Sequence, residues 1–596
     1  MKRFVLVLVG VWGLMAGTGQ AQAQQPTPTA TSAVLLNNLF NSYWDDRARL
    51  FPLLATAQGD NRFNDRLPND QTRAFRQQQA RLYRRYLNDL LNIDRARLGA
   101  ADKLSYDIFQ YEMRTRLEGL PLATWMMPFA QVYSLPTTLV QLGTGTGAQP
   151  FRTVRDYDNW LARVGHFPVW ADSAMANFRQ GAKAAVVLPR VLVLKMVPQL
   201  QAQVVADPTR SIFYDPIERL PASFSEADRA RLTAAYQQAI ATDLVPTYRR
   251  LADYLQNEYL PLARSSTALG DVPGGAEMYR YEVRLMTTTT RDPDAIYQTG
   301  LAEVKRIRAA MEAVKKLVGY RGTLAGFFNS LSGNPRFMPY QSPEEVLRAF
   351  RGIQARITPN LNRLFGRVPK SPFEIRQTEA FRAASASAEY NRGTPDGSRP
   401  GIFYVPILDA TKFNVTSGME SLFLHEAIPG HHYQLSLQQE NTALPKFRRF
   451  ASYPAFSEGW ALYCESMGAE LGLYQDPYQR LGALGDEMHR ALRLVVDVGL
   501  HQKGMSREQA IDYMMANEPI AEPDATAEVE RYLAMPGQAL AYKIGALKLR
   551  ELRNRYELQL GKRFNLKAFH DEILAGGSMP LAILERHMDA WASRQR

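Results

Sequence analysis

Apolar residues recur at spacings of three and four along most of the chain, with Arg, Gln and Asp between them, as in amphipathic helices. The pattern is clearest at 71–92, 224–263 and 292–317. At the start of the third segment, Asp292 or Asp294 is suited to cap the first helical turn. We therefore predict a mainly α, multi-helix protein.

Two loop-like segments interrupt this pattern. Residues 264–275 are rich in Ser, Gly and Pro and predict a boundary between two lobes, 34–270 and 271–596. Residues 391–400 form a second loop, and the run GIFYVPIL (401–408) that follows it predicts one of the few strands. This strand could pair with an extended peptide at a sheet edge.

The N-terminus differs from the rest of the chain. Residues 1–23 begin with two basic residues, continue as an apolar run to about Met15 and end in Ala-Gln-Ala, which is typical of a cleavable secretory signal. Residues 24–33 form a Pro/Thr-rich tether, so the folded part should begin near Ala33. No other run approaches about 18 apolar residues, and no Cys lies near the cleavage point. We expect a secreted or periplasmic protein without stable membrane insertion or a lipid anchor.

The composition is that of a soluble globular protein, with 46% apolar and 22% charged residues. Loss of the signal lowers the net charge from +12 to +10, and the basic residues are dispersed among acidic ones. That distribution favours a solvated surface and argues against a nucleic-acid partner. The single cysteine, Cys464, cannot form an internal disulfide and is expected to be a small buried hydrophobe.

Three of the eight histidines lie within eight residues, in the sequence SLFLHEAIPGHHYQ. They are His425, His431 and His432. A hydrolytic zinc site needs neutral imidazoles close together and a carboxylate that handles the proton of a bound water. The segment therefore predicts a Zn²⁺ site with His425 as a ligand and the adjacent Glu426 as general base.

The second ligand is less obvious from the spacing. In a helical H-E-x-x-H motif the histidines are separated by about 6 Å along the axis, but that fourth position is Pro429 here. On a straight helix His431 would lie about 120° away and His432 about 10 Å along the axis. Pro429 lacks an N–H and Gly430 has unusual backbone freedom, so we predict that the helix opens there. This bulge favours His431 as the ligand and leaves His432 as the alternative.

A third ligand is expected from the segment AFSEGWALYCE (455–465), which follows the histidines closely enough to return as a neighbouring helix. Glu458 and Glu465 are seven residues apart and so share one face of that helix. We predict that Glu458 binds the metal and that Glu465 accepts a hydrogen bond from a ligand imidazole.

HEAIPGHHYQ followed by FSEGWALYCE resembles the DUF885 family of bacterial proteins, which is grouped with the gluzincin-like metallopeptidases. Residues 287–307, 399–405, 493–501 and 531–545 also resemble segments of that family. The resemblance implies a predominantly helical, gluzincin-like fold with a deep cleft and a zinc hydrolase site, but says little about substrate. The Gly430-His431 pair and the seven-residue spacing of the two glutamates resemble gluzincin ligand patterns. Pro429 departs from them.

Hydrolysis of a peptide creates an oxyanion, which a second donor besides the metal can stabilise. The downstream candidates are His501, Tyr532 and Tyr542. We predict catalytic roles for His501, oriented by Asp497 one helical turn earlier, and for Tyr542.

Together these features predict an exported zinc metallopeptidase of small peptides, of carboxypeptidase or oligopeptidase type. Arg531 and Lys543 could receive a substrate carboxylate, although solvated basic side chains are the favoured interpretation. Two other functions fit the sequence: a zinc hydrolase of another amide or ester, such as a cell-wall fragment, and a non-catalytic binding protein. His and Glu ligands also suit manganese or cobalt.

Overall fold

The computed structural model describes residues 31–132, 134–379, 387–394, 397 and 399–595. The predicted signal (1–23) and most of the tether (24–33) lie outside the described residues. Helix α1 begins at Ser32, where the Thr31 hydroxyl accepts a hydrogen bond from the backbone N–H of Val34. Ala33, near which the folded part is predicted to begin, lies in the first turn of this helix.

The first half of the chain is helical, as its periodicity predicts. Its helices are α1 Ser32–Leu50, α2 Pro52–Ala57, α3 Arg73–Leu91, α4 Ala100–Gly119, α5 Leu135–Gly143, α6 Val154–Val164, α7 Phe167–Lys183, α8 Arg190–Gln201, α9 Asp215–Glu218, α10 Glu226–Ala239, α11 Val245–Tyr254 and α12 Gly275–Thr287. The predicted segment 224–263 contains α10, α11 and two π-helical turns, Ile240–Leu244 and Leu255–Tyr259. Pro246 and Pro261 follow these turns closely, and each lacks the N–H of a regular helical hydrogen bond.

The second half is also helical and contains the small sheet. Its helices are α13 Pro293–Leu317, α14 Leu324–Leu331, α15 Pro343–Leu364, α16 Met419–Glu426, α17 His431–Glu440, α18 Lys446–Arg449, α19 Pro454–Glu465, α20 Pro477–Gln502, α21 Arg507–Asn517, α22 Glu522–Ala534, α23 Leu540–Leu560, α24 Leu566–Gly576 and α25 Leu581–Arg594. Asp292 is the residue that caps α13, through the backbone N–H of Asp294.

The strands of the described residues are β1 Phe373–Gln377, β2 Glu389–Asn391 and β3 Gly401–Val405. Strand β3 is the predicted strand, and it lies between β1, to which it is parallel, and β2, to which it is antiparallel. Both of its sides are thus paired, and the prediction that it takes up a peptide as an edge strand is wrong. The ring centroids of Phe403 on β3 and Phe423 on α16 are 6.4 Å apart, so the sheet packs beside the predicted metal helix.

The cores join distant parts of the chain. Buried residues of α1, α3 and α4 share one core with α15, α16, α19 and α23. A second core combines α5–α8, α10 and α11 with α20–α22. The loop at 264–275 therefore does not separate two independent cores.

Helix α20 contributes Leu494 to the first core and Val496 to the second. It also contributes Val495 to a third core, which it shares with α13 and α14. Residues 491–501 of this helix are buried on every side. Among the described residues, no helix is long and apolar enough to cross a membrane.

Candidate metal centre

A break between two helices brings the clustered histidines together. Helix α16 ends at Glu426 and α17 begins at His431, with a cis peptide bond between Ile428 and Pro429. The indole N–H of Trp460 donates a hydrogen bond to the Pro429 carbonyl at 3.0 Å. The His425 and His431 rings face each other edge to face, with centroids 5.0 Å apart. The predicted opening of the helix is present, as a turn between two helices.

This turn depends on a close backbone approach at Gly430. A Cβ at this position would lie 1.9 Å from the carbonyl oxygen of His425 and 2.3 Å from that of Leu424. No other residue fits there without displacing the backbone, because Cβ atoms do not approach oxygen so closely.

The three predicted ligands converge. The Nε2 atoms of His425 and His431 lie 3.6 and 3.5 Å from Oε2 of Glu458. One ligand atom from each residue lies within 4.8 Å of the others. Ligands at about 2.0–2.2 Å from a tetrahedral zinc ion are separated by about 3.3–3.6 Å. The donor set and its spacing therefore fit Zn²⁺.

A second carboxylate fixes the orientation of His425. Glu465 lies on α19, two helical turns after Glu458, and its Oε1 is 2.6 Å from Nδ1 of His425. Since Nδ1 is held there, Nε2 is directed at Glu458. This is the contact predicted for Glu465, and such a carboxylate makes an imidazole a better metal ligand.

His432 points to the sheet. Its Nδ1 is 2.9 Å from the Tyr390 hydroxyl, and its ring is 4.9 Å from that of Phe373. Burial lowers the pKa of His432 to about 4, so it remains neutral in this apolar setting. Of the two candidates for the second ligand, the structure places His431 in the cluster.

The carboxylates of the cluster stabilise a positive charge between them, which either a proton or a bound metal ion can supply. Burial alone would lower the pKa of His425, but hydrogen bonds to Glu458 and Glu465 raise it to about 10. Burial opposes ionisation of Glu458, yet the charges and hydrogen bonds of His431 and His425 hold its pKa well below the usual range. Burial raises the pKa of Glu426, and the two histidines partly offset this. A carboxyl with a raised pKa next to the ligands is suited to proton transfer.

Tyr542 lies beside the ligands. Its ring is nearly parallel to that of His425, with centroids 6.4 Å apart. Helices α19 and α23 cross very closely here, since a Cβ on Gly459 would meet the Cα of Gly545 at 2.5 Å. Burial and the charge of Glu458 raise the pKa of Tyr542, so its hydroxyl stays protonated. Tyr542 therefore remains a candidate hydrogen-bond donor to a reacting oxygen.

His501 is not available for catalysis, contrary to the sequence prediction. Its Nδ1 accepts a hydrogen bond from the backbone N–H of Leu269 at 3.2 Å, and its Nε2 lies 3.0 Å from the carbonyl oxygen of Tyr532. Asp497 does not orient it, because that carboxylate accepts from the Tyr279 hydroxyl and the Gly537 N–H. His501 holds α20 to two neighbouring segments.

The basic residues proposed to receive a substrate carboxylate are already paired. Lys543 is 3% exposed and lies 2.9 Å from Glu303 and 2.7 Å from Glu487, so it is neither solvated nor free to receive a substrate carboxylate. Arg531 donates to Glu528 at 2.8 Å and to Gln538 at 2.8 Å.

Sequence reasoning missed two arginines near the site, Arg490 and Arg493 on α20. The guanidinium carbon of Arg493 lies 4.5 Å from the centre of the Tyr542 ring, and the charge of Arg490 lowers the pKa of Glu426. A sequence signal existed, because Arg493 interrupts an apolar run, and a charge in such a run is rarely buried without a partner or a ligand.

Comparison with known proteins places this fold and site in a family. A family model described as a bacterial protein of unknown function, DUF885, matches residues 52–588. The chain belongs to the DUF885 family. No curated protein matches this DUF885 sequence.

Two solved structures resemble the DUF885 chain over nearly their whole length. The crystal structure of "the putative lipoprotein from Colwellia psychrerythraea" is 28% identical, with a TM-score of 0.85 over 95% of this chain and 100% of that one. A second, from Shewanella oneidensis, is described as a "putative lipoprotein of unknown function". It is 19% identical, with a TM-score of 0.72 over 94% of this chain and 99% of that one, and supports the same fold.

Proposed function

We propose that this DUF885 protein is an exported, zinc-dependent metallopeptidase. The observation that carries the proposal is the convergence of His425, His431 and Glu458 next to Glu426. Two imidazoles and one carboxylate, with a further carboxylate on the imidazole Nδ1, are the donor set of a hydrolytic zinc site that leaves one coordination position open.

The chain supplies the groups that peptide hydrolysis needs. A bound zinc ion would lower the pKa of a water molecule and polarise the scissile carbonyl. Glu426 accepts the proton of the attacking water and delivers it to the leaving amine. Tyr542, protonated and next to His425, donates a hydrogen bond to the developing oxyanion. Glu465 keeps His425 in the orientation that presents Nε2.

Export is supported by the N-terminal sequence and by the description of the relative from Colwellia psychrerythraea as a "putative lipoprotein", a class of extracytoplasmic protein. The single cysteine of the sequence, Cys464, is fully buried in α19. We propose a periplasmic or secreted protein.

Two measurements test the function. Metal analysis of the purified protein should find one zinc per chain, and removal of zinc should abolish cleavage of a mixed peptide library, read by mass spectrometry. Glu426→Gln should retain zinc and lose most hydrolysis. A protein that binds no stoichiometric metal, or whose Gln variant cleaves at the parent rate, would contradict the proposal. A zinc protein that cuts no peptide would act on another amide or ester.

A further inference from the structure

Two nearly buried arginines lie on helix α20 beside the metal centre. Arg490 and Arg493 are three residues apart and so lie on one face of the helix. Their side chains are only 15% and 8% exposed. Nearby, Arg493 and Arg531 share one carboxylate, Glu528, at 3.0 and 2.8 Å. The Glu528 carboxylate therefore cannot balance both guanidinium groups.

Both α20 arginines also have N–H donors without an acceptor. Arg493 donates from Nε to the Tyr532 hydroxyl and from Nη2 to Glu528, but its Nη1 is buried and has no partner among the described residues. Arg490 makes two long contacts from Nη1 to Asp486, at 3.4 Å to its backbone carbonyl and at 3.5 Å to its carboxylate, and its buried Nε has no partner among the same residues. Buried donors without acceptors are costly, so a ligand with acceptor atoms would be bound favourably here.

These donors lie within reach of the reacting centre. The guanidinium carbon of Arg493 is 4.5 Å from the Tyr542 ring centre, which is 6.4 Å from the ring centre of His425. Three residues of extended peptide, at about 3.3–3.6 Å each, are enough to bridge this path. Arg490 also lines a cavity of about 420 Å³ together with Asp486, His489 and Glu518, which leaves room for a ligand on that side of the arginine; the metal ligands and Arg493 do not line it.

We propose that Arg490 and Arg493 bind the C-terminal carboxylate of the peptide substrate, so that this DUF885 protein acts as a carboxypeptidase that removes one to three residues. Guanidinium groups suit this role because their N–H donors match the two oxygens of a carboxylate. A peptide without a free C-terminus lacks the acceptors and leaves the same donors unpaired. The inference rests on the proposed function and names its class of substrate.

Binding can be measured separately from cleavage. The Glu426→Gln protein is titrated calorimetrically with a mixed-sequence pentapeptide library in two forms, one with a free carboxylate and one with a C-terminal amide. We expect the free acid to bind about 10- to 100-fold more tightly, the range of one charge-assisted hydrogen bond. Addition of Arg490→Gln should reduce this difference to about threefold or less. Arg490→Lys should retain part of it.

The matched control is Arg480→Gln, at an exposed arginine in the first turns of the same helix. It should leave the preference for the acid unchanged. Arg490 is the better test position, because Arg493 is tied to Glu528 and its replacement could unfold the region. Urea unfolding of each variant establishes that it is folded.

The outcomes separate the inference from the proposed function. Equal binding of acid and amide, or a preference that survives Arg490→Gln, overturns the carboxylate site even if peptides are cleaved internally. An amidated library with Asp or Glu at its last position that binds like the free acid would assign the arginines to an acidic side chain instead. A preference for the acid without any cleavage by the parent protein would support the binding site and overturn the peptidase proposal.

Discussion

Replacing Gly430 by Ala should disrupt the metal centre through the backbone alone. The new Cβ would lie 1.9 Å from the His425 carbonyl oxygen, whereas such contacts essentially never fall below 3.0 Å. The two backbone segments must therefore separate by about 1 Å, which moves His431 relative to His425. Metal–ligand distances tolerate only about 0.2 Å. We expect zinc affinity to fall at least about 10- to 100-fold, equivalent to about 1.4–2.8 kcal/mol.

The assay is competition for zinc with a chromophoric chelator, combined with urea unfolding. The overlap should also destabilise the fold by about 1–3 kcal/mol. Gly352→Ala is the control, because this glycine lies exposed in α15 and its Cβ would meet nothing within 4 Å. The control should leave zinc affinity unchanged and stabilise the protein by about 0.5–1 kcal/mol. A Gly430→Ala protein that binds zinc like the parent would refute the reasoning.

Four further predictions follow from the same geometry. Glu426→Gln should keep zinc affinity within about threefold and lower kcat about 10²- to 10⁴-fold, measured on a peptide that the parent cleaves. Glu465→Gln should weaken zinc binding about 10- to 100-fold in the chelator assay, because His425 loses the carboxylate that orients it. His431→Gln should abolish stoichiometric zinc binding, whereas His432→Gln should retain it. The reverse result in metal analysis would show that His432, and not His431, is the second ligand. Burial lowers the pKa of His501 to about 4, below about 6.5 in the unfolded chain, so the unfolded state binds more protons in this range and stability falls as the pH decreases through it. His501 should account for about 2 kcal/mol of unfolding free energy lost between pH 7 and 5, a loss absent from His501→Gln.

The helices were predictable because amphipathic periodicity and capping are local properties. Residues 71–92 and 292–317 form α3 and α13 nearly as predicted. Asp292 caps α13 by accepting a hydrogen bond from Asp294, only two residues later in the chain. The break at 264–275 is also present, as a loop that contains one 3-10 turn, Leu269–Asp271. Its sequence does not reveal that α1, α3 and α4 pack against the C-terminal half, since core sharing depends on residues far apart in the chain.

The ligand cluster was predictable for a related reason. His425 and His431 are joined by a short turn, and helical spacing places Glu458 and Glu465 on one face. These local constraints leave few ways in which the four side chains can meet. The role of His501 could not be predicted, because its partners, Leu269 and the Tyr532 carbonyl, are brought to it only by the tertiary fold. An Asp and a His one helical turn apart indicate a hydrogen-bonded pair. Nothing in the sequence shows that each of them instead forms its hydrogen bonds with other groups.

Helix α20 links the two halves of the proposed mechanism. The hydroxyl of Ser421, one turn before His425 on α16, donates a hydrogen bond to Asp486 on α20, which contacts Arg490 one turn later. The metal ligands and the proposed carboxylate site therefore lie on helices that are hydrogen-bonded to each other and packed into shared cores. A mobile connection would let the distance between scissile bond and C-terminus vary, whereas rigid elements fix it. The length of the released fragment should thus be set by the fold itself.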